Sequence, residues 1–382
     1  MNQRSYLDYN ATAPLRPEVR EAIVDALHVH GNPSSVHEEG RAARALVEQA
    51  RAKVAKLAGA APEDVIFTSG GSEANALALA AQGGQAWHCY LSAVEHPSVL
   101  AGGRFYRETT TIIPVTKDGL ADLAVLAKEL EKHHLGGWRP FVSLMVANNE
   151  TGAVQPVPEA AAIVHEAGGL LHSDAVQAAG RIPLDLASLG ADMLSLSAHK
   201  IGGPKGIGAL VLKPGVSVEP LLKGGGQERR RRAGTENVPG IVGFGVAAEL
   251  AAGDIAKTAG IKALRDSLEA GARAIAPDAV VVSAGVERLP NTSCIAVPGV
   301  KAETLVIGLD LAGVSVSAGS ACSSGKVEAS HVLSAMGVAP ELAQGAIRVS
   351  LGFGTTSHAI ERFLGAFGEL IKRLKQSPKA AA

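Results

Sequence analysis

Seven short runs that are predominantly apolar on both alternating sets of positions, at residues 65–68, 87–91, 112–115, 141–147, 170–172, 193–196 and 209–212, constrain this chain more than any other feature. Helical patterns separate most of them. A strand with one wet face alternates apolar and polar residues, so a run apolar on both sets of positions must be covered on both faces. Such strands, alternating with helices, predict a mainly parallel sheet with helices packed on either side. Pro17 opens a helix carrying Val19, Ile23, Ala26 and Leu27 at helical spacing, and a second runs through Ala45, Leu46, Gln49, Val54 and Leu57 to end near Gly59. Past about residue 250 the pattern changes. Short strands at 280–283, 293–297, 314–317 and 347–351 alternate with helices, and the last helix aligns Ile360, Phe363, Leu364, Phe367, Leu370, Ile371 and Leu374 on one face. This reads as a smaller α+β domain.

At 382 residues the chain exceeds one average domain, and 47% hydrophobic with 19% charged residues is a globular balance. A formal net charge of −1 offers no global attraction to nucleic acid or to an anionic membrane. The first ten residues hold no apolar leader core, and no run approaches the length of a spanning helix, so a cytoplasmic protein is expected. Cys89, Cys294 and Cys322 lie far apart with neither Cys-x-x-Cys nor metal-ligand spacing, so each is expected to be a thiol and no metal is expected.

Three polar clusters follow apolar runs directly: Asn148-Asn149-Glu150-Thr151-Gly152, His172-Ser173-Asp174-Ala175-Val176-Gln177, and Ser197-Ala198-His199-Lys200. They fall at the carboxyl ends of strands, where open α/β sheets bind ligands. One such cluster is an ordinary polar loop cap; three, holding an acid, amides and a lysine, converge on one crevice. A lysine able to form a Schiff base, an aspartate able to hold a ring nitrogen protonated, and Ser197 and His199 placed for a phosphate are what pyridoxal 5'-phosphate requires. Ser69-Gly70-Gly71-Ser72 joins a strand to a helix start, a second phosphate-type turn, although Ser72 suits a plain N-cap equally well. Gln177 and Asn149 could bond the phenolic oxygen of the ring, and His96, after the run at 87–91, could stack on its face. Lys205 is a rival lysine, but it lies beyond Gly202-Gly203-Pro204, away from the strand end.

Ser317-Ala318-Gly319-Ser320-Ala321-Cys322-Ser323-Ser324-Gly325 holds small residues around one thiol, whereas Cys89 and Cys294 sit among apolar neighbours. Cys322 therefore reads either as a reactive thiol on a loop or as an incidental one in a linker. Glu228 and the four arginines 229–232 lie between Gly224-Gly225-Gly226 and Ala233-Gly234-Thr235, which suits a phosphate or interface loop better than a nucleic-acid patch in a neutral chain.

Together these motifs resemble the cysteine desulfurases, pyridoxal-phosphate enzymes of the class V aminotransferase family with the type I fold. The likeness runs nearly end to end, through Tyr6-Leu7-Asp8-Tyr9-Asn10-Ala11-Thr12, Gly31-Asn32-Pro33-Ser34-Ser35, residues 67–73, Glu95-His96, the three clusters, Gly206-Ile207-Gly208, residues 232–235, 319–323 and 348–352. The resemblance implies the α/β PLP-dependent transferase type I fold. It implies a large domain with a mainly parallel seven-stranded sheet at residues 15–250. Residues 1–14 and 251–382 would form the smaller α+β domain, carrying a cysteine loop at about 317–326. It implies Gly71, Ser72, Ser197 and His199 at the phosphate, with Thr235 reaching the phosphate of the partner subunit in a homodimer. Asn149, Asp174 and Gln177 would surround the ring, His96 would stack on it, and Lys200 would carry the cofactor. Arg348 and Asn149 would take the substrate carboxylate, and Cys322 would hold the persulfide as L-cysteine becomes L-alanine. The sulfur would pass to an acceptor protein such as an iron–sulfur scaffold, or toward thio-cofactors or tRNA. Two departures stand out: Phe353-Gly354 follows Ser350-Leu351-Gly352 where housekeeping members tend to have Arg-Phe, and the four-arginine run is more basic than usual. Selenocysteine lyase and a non-catalytic scaffold of the same fold are the alternatives. A nicotinamide-dependent oxidoreductase lacks its Gly-x-Gly-x-x-Gly turn after the first strand.

Overall fold

The computed structural model describes residues 4–80, 86–134, 137–318 and 330–376. After a short strand, Ser5–Tyr6 (β1), the chain forms helices Pro17–Leu27 (α1) and Glu38–Ala58 (α2), the latter closed by Gly59 in the left-handed conformation. The central sheet holds Val65–Thr68 (β2), Trp87–Ser92 (β3), Thr110–Ile113 (β4), Arg139–Ser143 (β5), Leu170–Asp174 (β6), Met193–Ser197 (β7) and Gly208–Leu212 (β8). Their spatial order is β2-β8-β7-β6-β5-β3-β4. The pairs β4–β3, β3–β5, β5–β6 and β6–β7 are parallel, while β8 is antiparallel to both β7 and β2, so β8 alone runs against the rest. The expected mainly parallel seven-stranded sheet is what forms.

Residues of one strand feed opposite cores, which is why these runs are apolar on both faces rather than one. Leu194 and Leu196 of β7 and Val211 of β8 pack under α1, α2 and the helix Val238–Asp254. Met193, Leu210 and Leu212 face the other layer with Trp87, Cys89, Leu91 and the apolar side of helix Gly71–Ala78 (α3). Val238–Ile275 corrects one expectation, because it is a 38-residue helical run whose most apolar window has mean hydropathy 1.4, long and apolar enough to cross a membrane by length and composition. Half of that window is buried, and Phe244, Ala247, Ala248 and Ala251 spend their apolar surface in the core beneath α1 and α2.

A third core lies apart from these. Val280–Val281 (β9), Thr292–Ala296 (β10), Val314–Ser315 (β11), Ser317–Ala318 (β12) and Ala346–Ser350 (β13) supply a four-stranded antiparallel sheet, ordered β12-β13-β10-β9, and a parallel pair of β1 with β11. Helices Thr258–Ile275 and Ser357–Gln376 cover it through Leu268, Ala272, Phe363 and Phe367, with Leu7 from the N-terminal segment in the same cluster. Two local expectations differ. The run at 141–147 leaves the ladder after Ser143, although Leu144 and Val146 still donate backbone bonds to His172 and Asp174. The helix after the Gly turn begins at Gly71 with Gly70 as its cap, so Ser72 lies inside the first turn rather than capping it.

Candidate active site

The polar clusters sit where the parallel strands end. Asp174 closes β6, Ser197 closes β7, and Lys200 follows in a single 3-10 turn. Their side chains meet in a cavity of about 220 Å³ whose lining includes Gly71, Ser72, His96, Asn149, Gln177 and His199. Nine of the twelve predicted site residues are brought together here; of the other three, Thr235 and Arg348 do not line the cavity, and Cys322 lies outside the described residues. Thr235 is exposed and away from the site of its own chain. Arg348, on β13, abuts the site indirectly, its Nη1 donating to the backbone oxygen of Asn149 at 3.2 Å.

Lys200 Nζ donates to Asn10 O at 2.6 Å and Ala11 O at 2.9 Å. That places the N-terminal segment, which belongs to the other core, directly across the site from the sheet. Asn10 is the hub of this junction. Its Nδ2 donates to Asn149 O (3.0 Å) and Thr292 Oγ1 (2.9 Å), its Oδ1 accepts from Asn291 (3.1 Å), and its O also accepts from Gln177 Nε2 (3.1 Å). Gln177 is therefore held before any ligand arrives, with its Oε1 also bonded to Arg181.

Asp174 is gripped by a residue that sequence reasoning missed. Asn75, on the buried face of α3, donates through Nδ2 to Asp174 Oδ2 at 2.7 Å and to Ser98 Oγ at 2.9 Å. Ser98 Oγ in turn lies 2.7 Å from His96 Nδ1, which also accepts from Ser98 N at 3.1 Å. One polar relay thus runs from Asp174 to His96. Burial pushes the His96 imidazole down, against the opposing pull of Asp174, so Nδ1 is an acceptor and Nε2 keeps the proton. Burial, then Lys200 and Lys205, push His199 down to about 4, leaving a neutral ring 3.1 Å from Thr12 Oγ1. Below the site, His172 bridges Ser143 Oγ (2.8 Å) and Ser195 Oγ (2.9 Å) across three strands, and burial lowers it to about 4. Glu95 was missed as well. Fully buried beside the site, it accepts from Met145 N at 2.6 Å, and burial with the nearby Asp174 raises its carboxyl well above the usual range. The signal that could have found Glu95 is its place beside His96 after an apolar strand; nothing in the sequence marks Asn75.

The site fits pyridoxal phosphate on its own evidence. Gly71, Ser72 and Glu73 open α3 with amide N–H groups that have no partner further up the helix, and these point toward a cavity of about 390 Å³ lined by Ser197, His199 and Lys205. A Cβ on Gly71 would come within 3.0 Å of Val176 Cγ2 and 3.3 Å of Ser197 Cβ, closing the cradle between those donors. Lysine, aspartate and anion-directed donors are spread along one continuous space, as an aldehyde, a ring nitrogen and a phosphate on one molecule demand. Cys89 and Cys294 are buried in strands, and desolvation raises both thiols, that of Cys294 to about 12. They are packing residues.

Residues 5–363 match the family model Aminotransferase class-V. A cysteine desulfurase of Cereibacter sphaeroides is 46% identical over 98% of this chain and 97% of its own, and cysteine desulfurase IscS of Dictyoglomus turgidum is 42% identical over 98% and 96%. The X-ray structure of a NifS-like protein from Rickettsia africae superposes with a TM-score of 0.88 at 37% identity, covering 97% of this chain and all of that one.

Proposed function

This chain belongs to the class V aminotransferase family, and from that premise we propose how its residues divide the work of taking sulfur from cysteine. It is a pyridoxal-phosphate-dependent cysteine desulfurase of the type I fold, a transferase that mobilises sulfur for iron–sulfur cluster assembly. The observation that carries the residue assignment is the convergence of Lys200, Asp174 and the start of α3 on one connected space. When bound, the cofactor supplies an electron sink for charge developing at the substrate Cα.

Asp174, oriented by Asn75, would hold a proton at the ring nitrogen, while the amides of Gly71 and Ser72 with Ser197 and His199 would hold the phosphate. His96 would stack on the ring and Asn149 and Gln177 would border it, all three lining the cavity. Lys200 would hold the cofactor through its aldehyde, and its amine would remove the α-proton as a base. Arg348, with Asn149 beside it, receives the substrate carboxylate. Its Nε is buried without an acceptor, and a carboxylate arriving there would satisfy it. Cys322 is the acceptor thiol. Its thiolate attacks the substrate sulfur, an S–S bond forms as the Cβ–S bond breaks, Cβ takes up a proton, and the proton that Lys200 removed returns to Cα to give L-alanine. Thr235, exposed in its own chain, reaches the phosphate site of a second copy in a homodimer. The large domain spans residues 15–250, and 1–14 with 251–382 form the small one. The enzyme works in the cytoplasm and hands sulfur to an acceptor protein of the iron–sulfur scaffold kind.

The test is Cys322→Ser. The variant should bind pyridoxal phosphate and shift its absorption with L-cysteine, yet lose alanine and persulfide formation by about a thousandfold or more, as removal of an essential nucleophile does. Turnover at the wild-type rate would overturn the assignment.

A further inference from the structure

Arg348 already has a carboxylate. Asp8 Oδ1 accepts from its Nη2 at 3.0 Å, and Asp8 Oδ2 accepts from Ser317 Oγ at 2.8 Å, so the aspartate is fixed at both oxygens. The guanidinium is held on its other arm by Asn149 O at 3.2 Å, and only Nε is left without an acceptor. With its side chain 5% exposed, Arg348 has little water to screen these contacts. Resting on the reading of Arg348 as the substrate-carboxylate site, we propose that Asp8 is a resident counter-ion that lowers the affinity of Arg348 for simple carboxylates. Only a ligand anchored elsewhere in the site as well, as an α-amino acid is through its amine, then binds strongly.

The reasoning is electrostatic. A ligand carboxylate at Nε comes close to Asp8, and two like charges a few ångströms apart in a partly desolvated site repel each other strongly enough to weaken binding by about tenfold. That repulsion falls equally on any carboxylate, so it removes weak binders first. Replacing Asp8 with Asn separates the two things the aspartate does. Asn keeps an oxygen for Nη2 and an amide able to donate to Ser317, so the guanidinium stays oriented, but the negative charge is gone. Asp8 thus acts through Arg348, as a positioning and tuning residue.

Holoenzyme is titrated calorimetrically with propionate, and the L-cysteine KM and kcat are measured for wild type, Asp8→Asn, Asp8→Ser, Ser317→Ala and Arg348→Ala. Asp8→Asn is expected to tighten propionate at least about tenfold and to lower the KM for cysteine with kcat held. Ser317→Ala, which leaves the charge in place, should match wild type in both. Asp8→Ser serves as the second neutral variant should Asp8→Asn fold poorly, and should also tighten propionate. Unchanged or weaker propionate binding in the neutral variants, while Arg348→Ala loses cysteine affinity, overturns the counter-ion role alone. Wild-type cysteine KM in Arg348→Ala overturns the underlying reading of the carboxylate site.

Discussion

Among the site residues, those that a sequence exposes and those that it hides differ in how they are held. Lys200, Asp174 and Ser197 stand out because each follows an apolar strand, and a polar side chain there has nowhere to point but the crevice. Asn75 and Asn10 carry no such mark. Their partners lie 99 and 282 residues away, and their roles arise only when α3 crosses β6 and the N-terminal segment crosses β10. The hydrogen bond from Asn75 holds one oxygen of a carboxylate that is 6% exposed, which makes it a charge-assisted bond in a poorly hydrated place. Asn75→Ala should therefore loosen pyridoxal phosphate by about tenfold, the equivalent of roughly 1.5 kcal/mol, chiefly through Asp174. Absorbance titration of the apoprotein reads this directly. A second expected mark is a disturbed pH profile for His96, because the same amide donates to Ser98, which bonds the imidazole.

Elements were legible wherever both faces of a run are buried, as in β3, β7 and β8, and less so where the backbone leaves a regular ladder. The loop Gln227–Arg230 shows the limit. Its run of arginines suggested a phosphate or interface loop, but not that Glu228, Arg229 and Arg230 all adopt positive φ, at 45°, 55° and 66°. The left-handed region costs a non-glycine residue roughly 1–2 kcal/mol, so this loop persists only because something bolts it down. Glu228 is the bolt. Its buried carboxylate accepts from Arg51 Nη1 and Nη2 at 2.7 and 3.0 Å and from Phe67 N at 3.0 Å, tying the loop to α2 and β2. Arg230, by contrast, is exposed, so its side chain does little to offset its backbone strain. Arg230→Gly should raise stability by about 0.5–1 kcal/mol, the strain relieved less the added freedom of the unfolded chain. Glu228→Ala should cost about 3–5 kcal/mol, since it strips the buried Arg51 guanidinium of its buried carboxylate and leaves it only the half-exposed Glu48, at 3.1 Å, and the Val65 carbonyl, at 3.0 Å. Thermal midpoints of the two variants, measured beside wild type, should move in opposite directions.

At the scale of the whole molecule, the sheet core and the C-terminal core are joined by buried polar contacts, and one of these should make stability depend on pH. Apolar patterning foretold both cores, but it says nothing about which acids lie between them. Glu150, in the turn after β5, accepts from Ser330 Oγ at 2.6 Å, and Ser330 caps the helix His331–Ala335. Burial raises the Glu150 carboxyl to about 7, with Ser330 and Arg348 only partly offsetting it, and Cys294 lies near enough to feel its charge. A carboxyl whose pKa is higher folded than unfolded binds its proton more tightly in the native state. Its contribution is therefore fully present below the unfolded value near 4.5 and is lost as pH rises through about 7. A shift of that size corresponds to about 3 kcal/mol at most, felt across the window from about pH 4.5 to 7. Glu150→Gln cannot ionise and its amide oxygen can still accept from Ser330, so it should flatten that slope. The comparison is the difference in denaturation midpoint between variant and wild-type holoenzyme, at pH 5 and again at pH 8, with cofactor and protein concentrations fixed. The variant should gain about 2–3 kcal/mol relative to wild type on going from pH 5 to pH 8. A difference that stays constant between the two pH values would mean that Glu150 is not the group that couples the junction to pH.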